Sequence, residues 1–395
     1  MKTGIYLHVP FCHSRCNYCD FNTYVGLNDL YEPYVRALQE EIRRGPELYG
    51  NTLAKRPPAE TIFFGGGTPS LLKPEWIGDL IRTCREVFDM RADAEVTIEC
   101  NPGTVELDYL AALRTQGANR LSFGAQSADA GELKLLGRAH AFADVGSAMT
   151  AARTAGFESI NLDLIFGLPH QSLDSWKRTM EATLALRPDH VSLYALIIEQ
   201  GTPMHDWVRR GDVPYPDPDV AADMYDHAEA TMRAAGFTHY EISNWALPGH
   251  ECAHNVIYWR NWPFYGFGAG AHSSSVQRRW WNVRRPADYV GRIQRGESVE
   301  MGYEDINAVT SRGETMMMGL RLLEEGIRLS EFAERYGAPL EHFYAAELRE
   351  GLRLGVLELS ADHRGESDHD DLHVRLTERG HFLSNQALML FVGGV

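Results

Sequence analysis

Three cysteines, Cys12, Cys16 and Cys19, stand in the run His-Val-Pro-Phe-Cys-His-Ser-Arg-Cys-Asn-Tyr-Cys near the amino end, with the spacing Cys-x3-Cys-x2-Cys. Thiolates are the preferred ligands of iron–sulfur clusters, and three on one short loop can hold three corners of a [4Fe–4S] cube. The fourth iron is then open to chelation by the amino and carboxylate groups of a small molecule. Zinc is the competing reading, with His13 as a local fourth ligand, but no second Cys-x2-Cys pair completes the usual tetrahedral pattern. A disulfide framework fits less well: six cysteines in 395 residues are few, and Cys84, Cys100 and Cys252 are scattered singly, as buried apolar residues are.

Further polar residues fall where apolar runs end. Thr61-Ile-Phe-Phe runs into Gly65, Gly66 and Gly67 and then Thr68, a strand opening into a turn where backbone can approach a neighbour closely. Glu99 closes Val96-Thr-Ile, Gln126 follows Leu121-Ser-Phe-Gly-Ala, and Asp163 lies inside Asn161-Leu-Asp-Leu-Ile-Phe. Arg138 is placed to pair with one of these carboxylates or with a ligand's carboxylate. Each alone is ordinary strand-end polarity; together, at the same end of successive strands, they line a pocket.

The elements that must position them alternate. Ile5–Val9, Thr61–Phe64, Glu95–Glu99, Arg120–Gly124, Ser159–Leu164 and His190–Leu196 read as strands, with helices expected over 30–49, 73–88, 104–116, 143–155 and 172–186. Strand–helix alternation predicts parallel strands joined by right-handed crossovers, with functional groups at the strands' carboxyl ends. The chain divides into 1–235, carrying this pattern; 236–303, an irregular stretch rich in aromatics and glycine; and 304–395. The last part reads as a small winged-helix-like unit: a helix over 304–325, short helices at Leu329–Gly337 and Pro339–Arg353, paired strands Gly355–Leu359 and Leu372–Leu376, and a final helix from Thr377.

Net charge of −16 argues against a nucleic-acid binder. The segment Asp362–Asp371 sets five acids against one arginine and repels phosphate even though winged helices often bind DNA. There is no apolar run long enough to span a membrane and no signal peptide, so the cytoplasm is the expected compartment.

The cysteine loop and glycine run resemble the radical S-adenosylmethionine (SAM) superfamily, and the segments around them resemble its HemN-like branch over nearly the whole chain. That resemblance implies an α/β fold, a partial (β/α)6 TIM-like radical SAM barrel with a small C-terminal winged-helix-like domain. It implies a [4Fe–4S] cluster on Cys12, Cys16 and Cys19, and SAM contacts at Tyr6, Gly66, Gly67, Thr68, Glu99, Gln126, Arg138 and Asp163. Tyr18 is expected beside the cluster and Ile197 as an apolar cofactor contact.

Two features separate the members of this family. Its oxygen-independent coproporphyrinogen III oxidases carry a further cysteine two residues after the third ligand, where this chain has Phe21. Its haem chaperones carry His-Asn-x-x-Tyr-Trp, matched here by His254-Asn-Val-Ile-Tyr258-Trp259. Neutral imidazole is a standard axial ligand of haem iron, and the two aromatics offer flat surface to a porphyrin, which makes His254 the candidate ligand. Without the resemblance a turn or core histidine is the plainer reading. The run Gly266–His272 permits close backbone approach but lacks a dinucleotide fingerprint's context, and the roles of Cys252 and His272 stay open. The resemblance thus implies a protein that binds haem and delivers it to apo-haemoproteins, membrane-bound respiratory enzymes among them, with a homodimer as a further expectation. The alternative is the oxidase, whose radical chemistry belongs to its cofactor.

Overall fold

The computed structural model describes residues 2–48, 58–275, 277–361 and 372–392. The acidic segment 362–371 singled out above lies outside the described residues. At the centre are six parallel strands, Thr3–Val9, Ala59–Gly66, Met90–Cys100, Arg120–Gln126, Ser159–Phe166 and His190–Ala195, each hydrogen-bonded to the next. They match the six expected from sequence, and several extend by one to five residues. The first strand has six of its seven residues buried because both its faces are covered, as parallel strands require. The helices Tyr31–Leu48, Pro74–Val87, Leu107–Thr115, Phe142–Thr154 and Leu173–Ala185 supply the crossovers at the expected places. Pro74–Val87 buries Ile77, Leu80, Ile81 and Cys84, the apolar spacing of one helical face.

The sheet is larger and more mixed than six parallel strands. The stretch 236–303, expected to be irregular, supplies strands to both of its edges. Thr238–Glu241 and Asn244–Ala246 add antiparallel beside His190–Ala195. Phe264–Phe267 adds parallel to the first strand, and His272–Ser274, Arg278–Asn282 and Glu300–Asp305 continue antiparallel, making twelve strands. These runs are short and broken by glycine, so their pairing comes from the long central strands they extend rather than from local pattern. Helices Ala130–Leu136, Pro203–Arg210 and Pro218–Ala234 were also not anticipated. Their Asp129, Thr202 and Asp217 caps, which accept from backbone N–H groups of the first turn, were the legible signal.

The carboxyl-terminal part has its own core, including Met316, Leu320, Phe332, Leu340, Val374 and Phe391. Its helices Ala308–Gly319, Leu329–Tyr336 and Leu340–Arg353 precede the strand pair Leu357–Ala361 and Leu372–Leu376, as expected, with Ile327–Arg328 as a third strand. Ion pairs tie it to the large sheet and its neighbouring helix, among them Arg260 to Glu325, Arg279 to Glu314 at 2.8 Å, and Arg321 to the fully buried Glu241 at 3.1 Å.

A buried carboxylate fastens the added strands to the first helix. Glu41 accepts from Gly268 N at 2.8 Å, Asn282 Nδ2 at 2.7 Å and Tyr289 Oη at 2.6 Å. Gly268 has φ +105°, and a Cβ there would meet Tyr34 Oη at 2.6 Å and His8 O at 2.7 Å, so only glycine fits. Replacing Glu41 by alanine strands three buried donors and is expected to lower stability by about 3 kcal/mol or more. Urea denaturation of the two proteins checks this.

Candidate functional site

The cysteine loop leaves the carboxyl end of the first strand and has almost no regular structure of its own. Two short parallel strands, Phe11–Cys12 and Tyr24–Val25, close its base. Distant backbone holds the rest: Thr68 N donates to Phe11 O (2.7 Å), Asn17 N to Leu136 O (3.0 Å), and Met204 N to Asn17 O (2.9 Å). The glycine run owes its composition to this packing. A Cβ on Gly67 would lie 2.5 Å from Phe11 O, and one on Gly66, at φ +113°, 2.5 Å from the His8 ring. The N–H groups of Gly66, Gly67 and Thr68 are already spent on Glu99, Val9 and Phe11. A ligand's ammonium group needs carbonyl oxygens instead.

All three cysteines are free thiols, half-buried, and line one cavity of about 430 Å³ together with Tyr18, Gly66, Gly67, Thr68, Glu99, Gln126, Arg138 and Asp163. Thr68 Oγ1 points at Cys12 Sγ (3.7 Å) and Arg138 Nη1 at Cys16 Sγ (3.5 Å). Burial raises the thiol pKa of Cys12 and Cys19, so metal must displace their protons. Among the described residues Arg138 forms no ion pair with a carboxylate of the chain, and its other anchor is Gly124 O at 2.7 Å, so the expected partner that stays open is a ligand's carboxylate.

A second cavity of about 470 Å³ shares Tyr18, Glu99, Gln126 and Asp163 and extends to Ile197, which is 69% exposed. Here the interior of the sheet is unexpectedly polar. Asp163 accepts from Ser122 Oγ (3.0 Å) and Asn161 Nδ2 (2.8 Å), and His190 Nδ1 meets Asn161 Oδ1 at 2.7 Å. Arg120, also buried, lies 3.9 Å from Glu95. Sequence reading missed Arg120, Ser122, Asn161, His190 and Ser192. The signal was period-two alternation along three strands: Arg120-x-Ser122-x-Gly124-x-Gln126, Asn161-x-Asp163 and His190-x-Ser192.

Burial, and then the negative charge of Asp163, pushes the Glu99 carboxyl up to about 8, against the N–H of Gly66. Burial also raises Asp163, opposed by its hydrogen bonds from Asn161, Ser192 and Ser122.

Tyr6 lines a third cavity, at about 970 Å³ larger than the other two, with Phe21, Glu99, Tyr258, Trp259, Trp262, Trp281, His272, Arg279, Arg284, Met317 and Met318 around it. Phe21, 64% exposed, borders all three cavities. His254 does not stand in any of them. It is 1% exposed, stacked on Phe63, with Nδ1 at 2.6 Å from Thr61 Oγ1 and Nε2 at 2.9 Å from Tyr258 Oη. The expectation of an imidazole open to iron is therefore not met in this conformation, because both ring nitrogens are engaged. Cys252 is buried with its thiol pushed up to about 12 by desolvation, the property of an inert cysteine.

Residues 6–183 match the radical SAM superfamily and 312–364 the HemN C-terminal domain. The chain is 37% identical to the haem chaperone HemW of Mycobacterium tuberculosis, over 99% of this chain and 95% of that one. To HemW of Bacillus subtilis it is 36% identical over the full length of both. The chain belongs to the HemW family of radical SAM proteins. Coproporphyrinogen III oxidase (HemN) from Escherichia coli shares the fold, with TM-score 0.81 at 24% identity over 99% of this chain and 90% of that one. The expected α/β architecture is the observed one, corrected to a mixed sheet.

A [4Fe–4S] cluster and SAM come with the radical SAM superfamily, and the site fits them. Cys12, Cys16 and Cys19 offer three sulfurs and no fourth. Gln126 Oε1, Arg138 Nε, Asn101 Oδ1 and the Nε and Nη2 of Arg120 are buried with no hydrogen-bond partner, although buried polar atoms are nearly always paired. Gln126 also holds a left-handed backbone at φ +67°, a strain that functional sites retain. Of these, Asn101, Gln126 and Arg138 belong to residues that line the cysteine cavity, where bound SAM would offer polar partners, and its cationic groups would favour the charged form of Glu99.

Glu99 makes this measurable. A free glutamate titrates near 4.3, so between that value and about pH 8 the folded protein holds a proton that the unfolded chain has lost. Its contribution to stability falls as pH rises through that window. Binding of cationic SAM to cluster-loaded protein is expected to release protons below about pH 8 and to tighten as pH rises. Calorimetry in buffers of different ionisation enthalpy reads this release, which Glu99→Gln should abolish.

Proposed function

We propose that the protein is, like the relatives named haem chaperone HemW, a haem chaperone, and that it holds haem in the cavity of about 970 Å³ and passes it to apo-haemoproteins. The observation that carries this reading is the character of that cavity. Trp259, Trp262, Trp281, Met317 and Met318 give it flat and adaptable apolar walls, while Arg284 and Arg279, the latter paired with Glu314 at 2.8 Å, bring cations to its lining that could meet propionates. It adjoins the radical SAM site through Glu99, Gly66 and Phe21, so occupancy of one is felt at the other.

His254 is the axial donor in this reading, behind a gate. The Tyr258 ring lines the cavity, and its hydroxyl meets His254 Nε2, the nitrogen facing away from Thr61. With Nδ1–H donating to Thr61 Oγ1, Nε2 keeps its lone pair, and desolvation holds the ring neutral with its pKa lowered to about 3. Rotation of Tyr258 uncovers that lone pair for iron. An imidazole held this way leaves haem's opposite face open to an acceptor's ligand. Acceptors among membrane-bound respiratory enzymes, action in the cytoplasm and assembly as a homodimer belong to this proposal; no helix among the described residues is long and apolar enough to cross a membrane. No observation favours the oxidase reading, since exposed Phe21 stands where the oxidases have a thiol.

Haem titration of anaerobically reconstituted protein, followed at the Soret band, tests the gate. Tyr258→Phe is expected to take up haem several-fold faster, and His254→Ala to lose the histidine-ligated spectrum. Loss in His272→Ala with His254→Ala unchanged would move the ligand to the imidazole already exposed in the cavity.

A further inference from the structure

A second cluster of ligating groups lies where the carboxyl-terminal unit meets the large sheet, away from the cysteines and the three cavities described above. Glu229 on the helix Pro218–Ala234, His239 on the strand Thr238–Glu241 and His381 on the helix Glu378–Phe382 bring one carboxylate oxygen and two ring nitrogens within 4.8 Å of one another. The three come from separate elements, 142 residues apart between His239 and His381, so only the docking of the two units assembles them.

The imidazoles are prepared as ligands. His239 Nε2 lies 3.2 Å from Ile242 O, an acceptor, so Nε2 carries the proton and Nδ1 the lone pair. A carbonyl on the far nitrogen is the arrangement that fixes metal-binding histidines. Trp245 stacks on the His239 ring at 3.9 Å and 10°, and His381 meets it edge-on at 5.5 Å. Both Nδ1 atoms, of His239 and of His381, are buried without a hydrogen-bond partner. Two unpartnered nitrogens beside a carboxylate are costly unless something occupies the space between them.

Charge nearby has both signs. Arg233 Nη2 holds Glu229 Oε1 at 2.7 Å, which leaves the second oxygen of that carboxylate. Arg233 also lies 3.8 Å from Glu378, and the adjoining cavity of about 420 Å³ is bordered by Glu324, Glu358 and Glu378 as well as by Arg233 and Arg375. Counting Glu229, acids outnumber arginines there, which suits a cation.

We propose that Glu229, His239 and His381 bind a divalent transition metal of the zinc class, which clamps the carboxyl-terminal unit to the barrel. Two neutral imidazoles and one carboxylate form a ligand set that zinc accepts, with water as the fourth ligand. A metal that binds only when the two units are docked stabilises the docked arrangement by mass action. The helix Ala308–Gly319 carries Met317 and Met318 into the lining of the 970 Å³ cavity, so the clamp also steadies one of its walls.

The test uses tag-free protein with its iron–sulfur cluster in place, so that the cysteines are not available to zinc. Titration with zinc alone is expected to show one equivalent bound per chain and a higher midpoint of thermal unfolding. His381→Gln and Glu229→Gln, near-isosteric and checked for fold by circular dichroism, should weaken binding by about tenfold or more. Cobalt in place of zinc should give visible bands of nitrogen and oxygen ligation without thiolate charge transfer. Absence of zinc binding, unchanged binding in both variants, or a thiolate charge-transfer band would each overturn the proposal.

Discussion

The cysteine loop cannot fold by itself, and this constraint organises the molecule. Beyond a few short-range bonds of its own, such as Cys19 N to Cys16 O, its backbone is held by other segments: Thr68 after the second central strand, Leu136 at the end of a helix, Met204 at the start of another. Three thiols on one loop become a ligand set only once those segments are in place, because a loop's own turns cannot fix sulfur positions to the tolerance that metal binding needs. The absence of side chains at Gly66 and Gly67 follows from the same requirement, since their backbone packs directly against Phe11 and His8. The cluster loop and the sheet are thus mutually dependent.

The interior around that loop accepts an unusual burden of buried polarity. Glu99 and Asp163 face one cavity, Arg120 is enclosed, and several polar atoms lack partners. Buried ionisable groups so arranged are costly in a protein whose only task is to be stable. The cost is understandable where a polar, cationic ligand completes the network, which is what SAM does in the superfamily. The shift of Glu99 to about 8 reports the same condition from the side of the proton.

The large cavity, by contrast, is built from what the central strands do not supply. Trp281 comes from an added strand next to the sheet's edge, Trp259 from the short helix Ala253–Trp259, and Met317 and Met318 from the carboxyl-terminal unit. A surface drawn from three elements can change shape when any of them shifts, a property suited to taking up and releasing a flat cargo. The proposed roles of Tyr258 as a gate and of the Glu229–His239–His381 cluster as a clamp act on two of these walls.

Much of this was legible in the chain. The cysteine spacing named the cluster, the period-two and helical patterns located the six central strands and their five crossover helices, and the polar strand ends marked Glu99, Gln126 and Asp163, because these signals are local. His254 shows where local reading stops: the motif identifies the residue, but only the packed structure places it behind Tyr258 with both nitrogens engaged. The strands within 236–303 are equally silent in sequence, being too short to declare themselves without the edges they extend. The sequence by itself determined the ligand types, the superfamily and the alternating core. Tertiary structure alone decided which polar side chains share a cavity, which histidines keep a free nitrogen and where the two units meet, because hydrogen-bond partners and burial are properties of residues far apart in the chain.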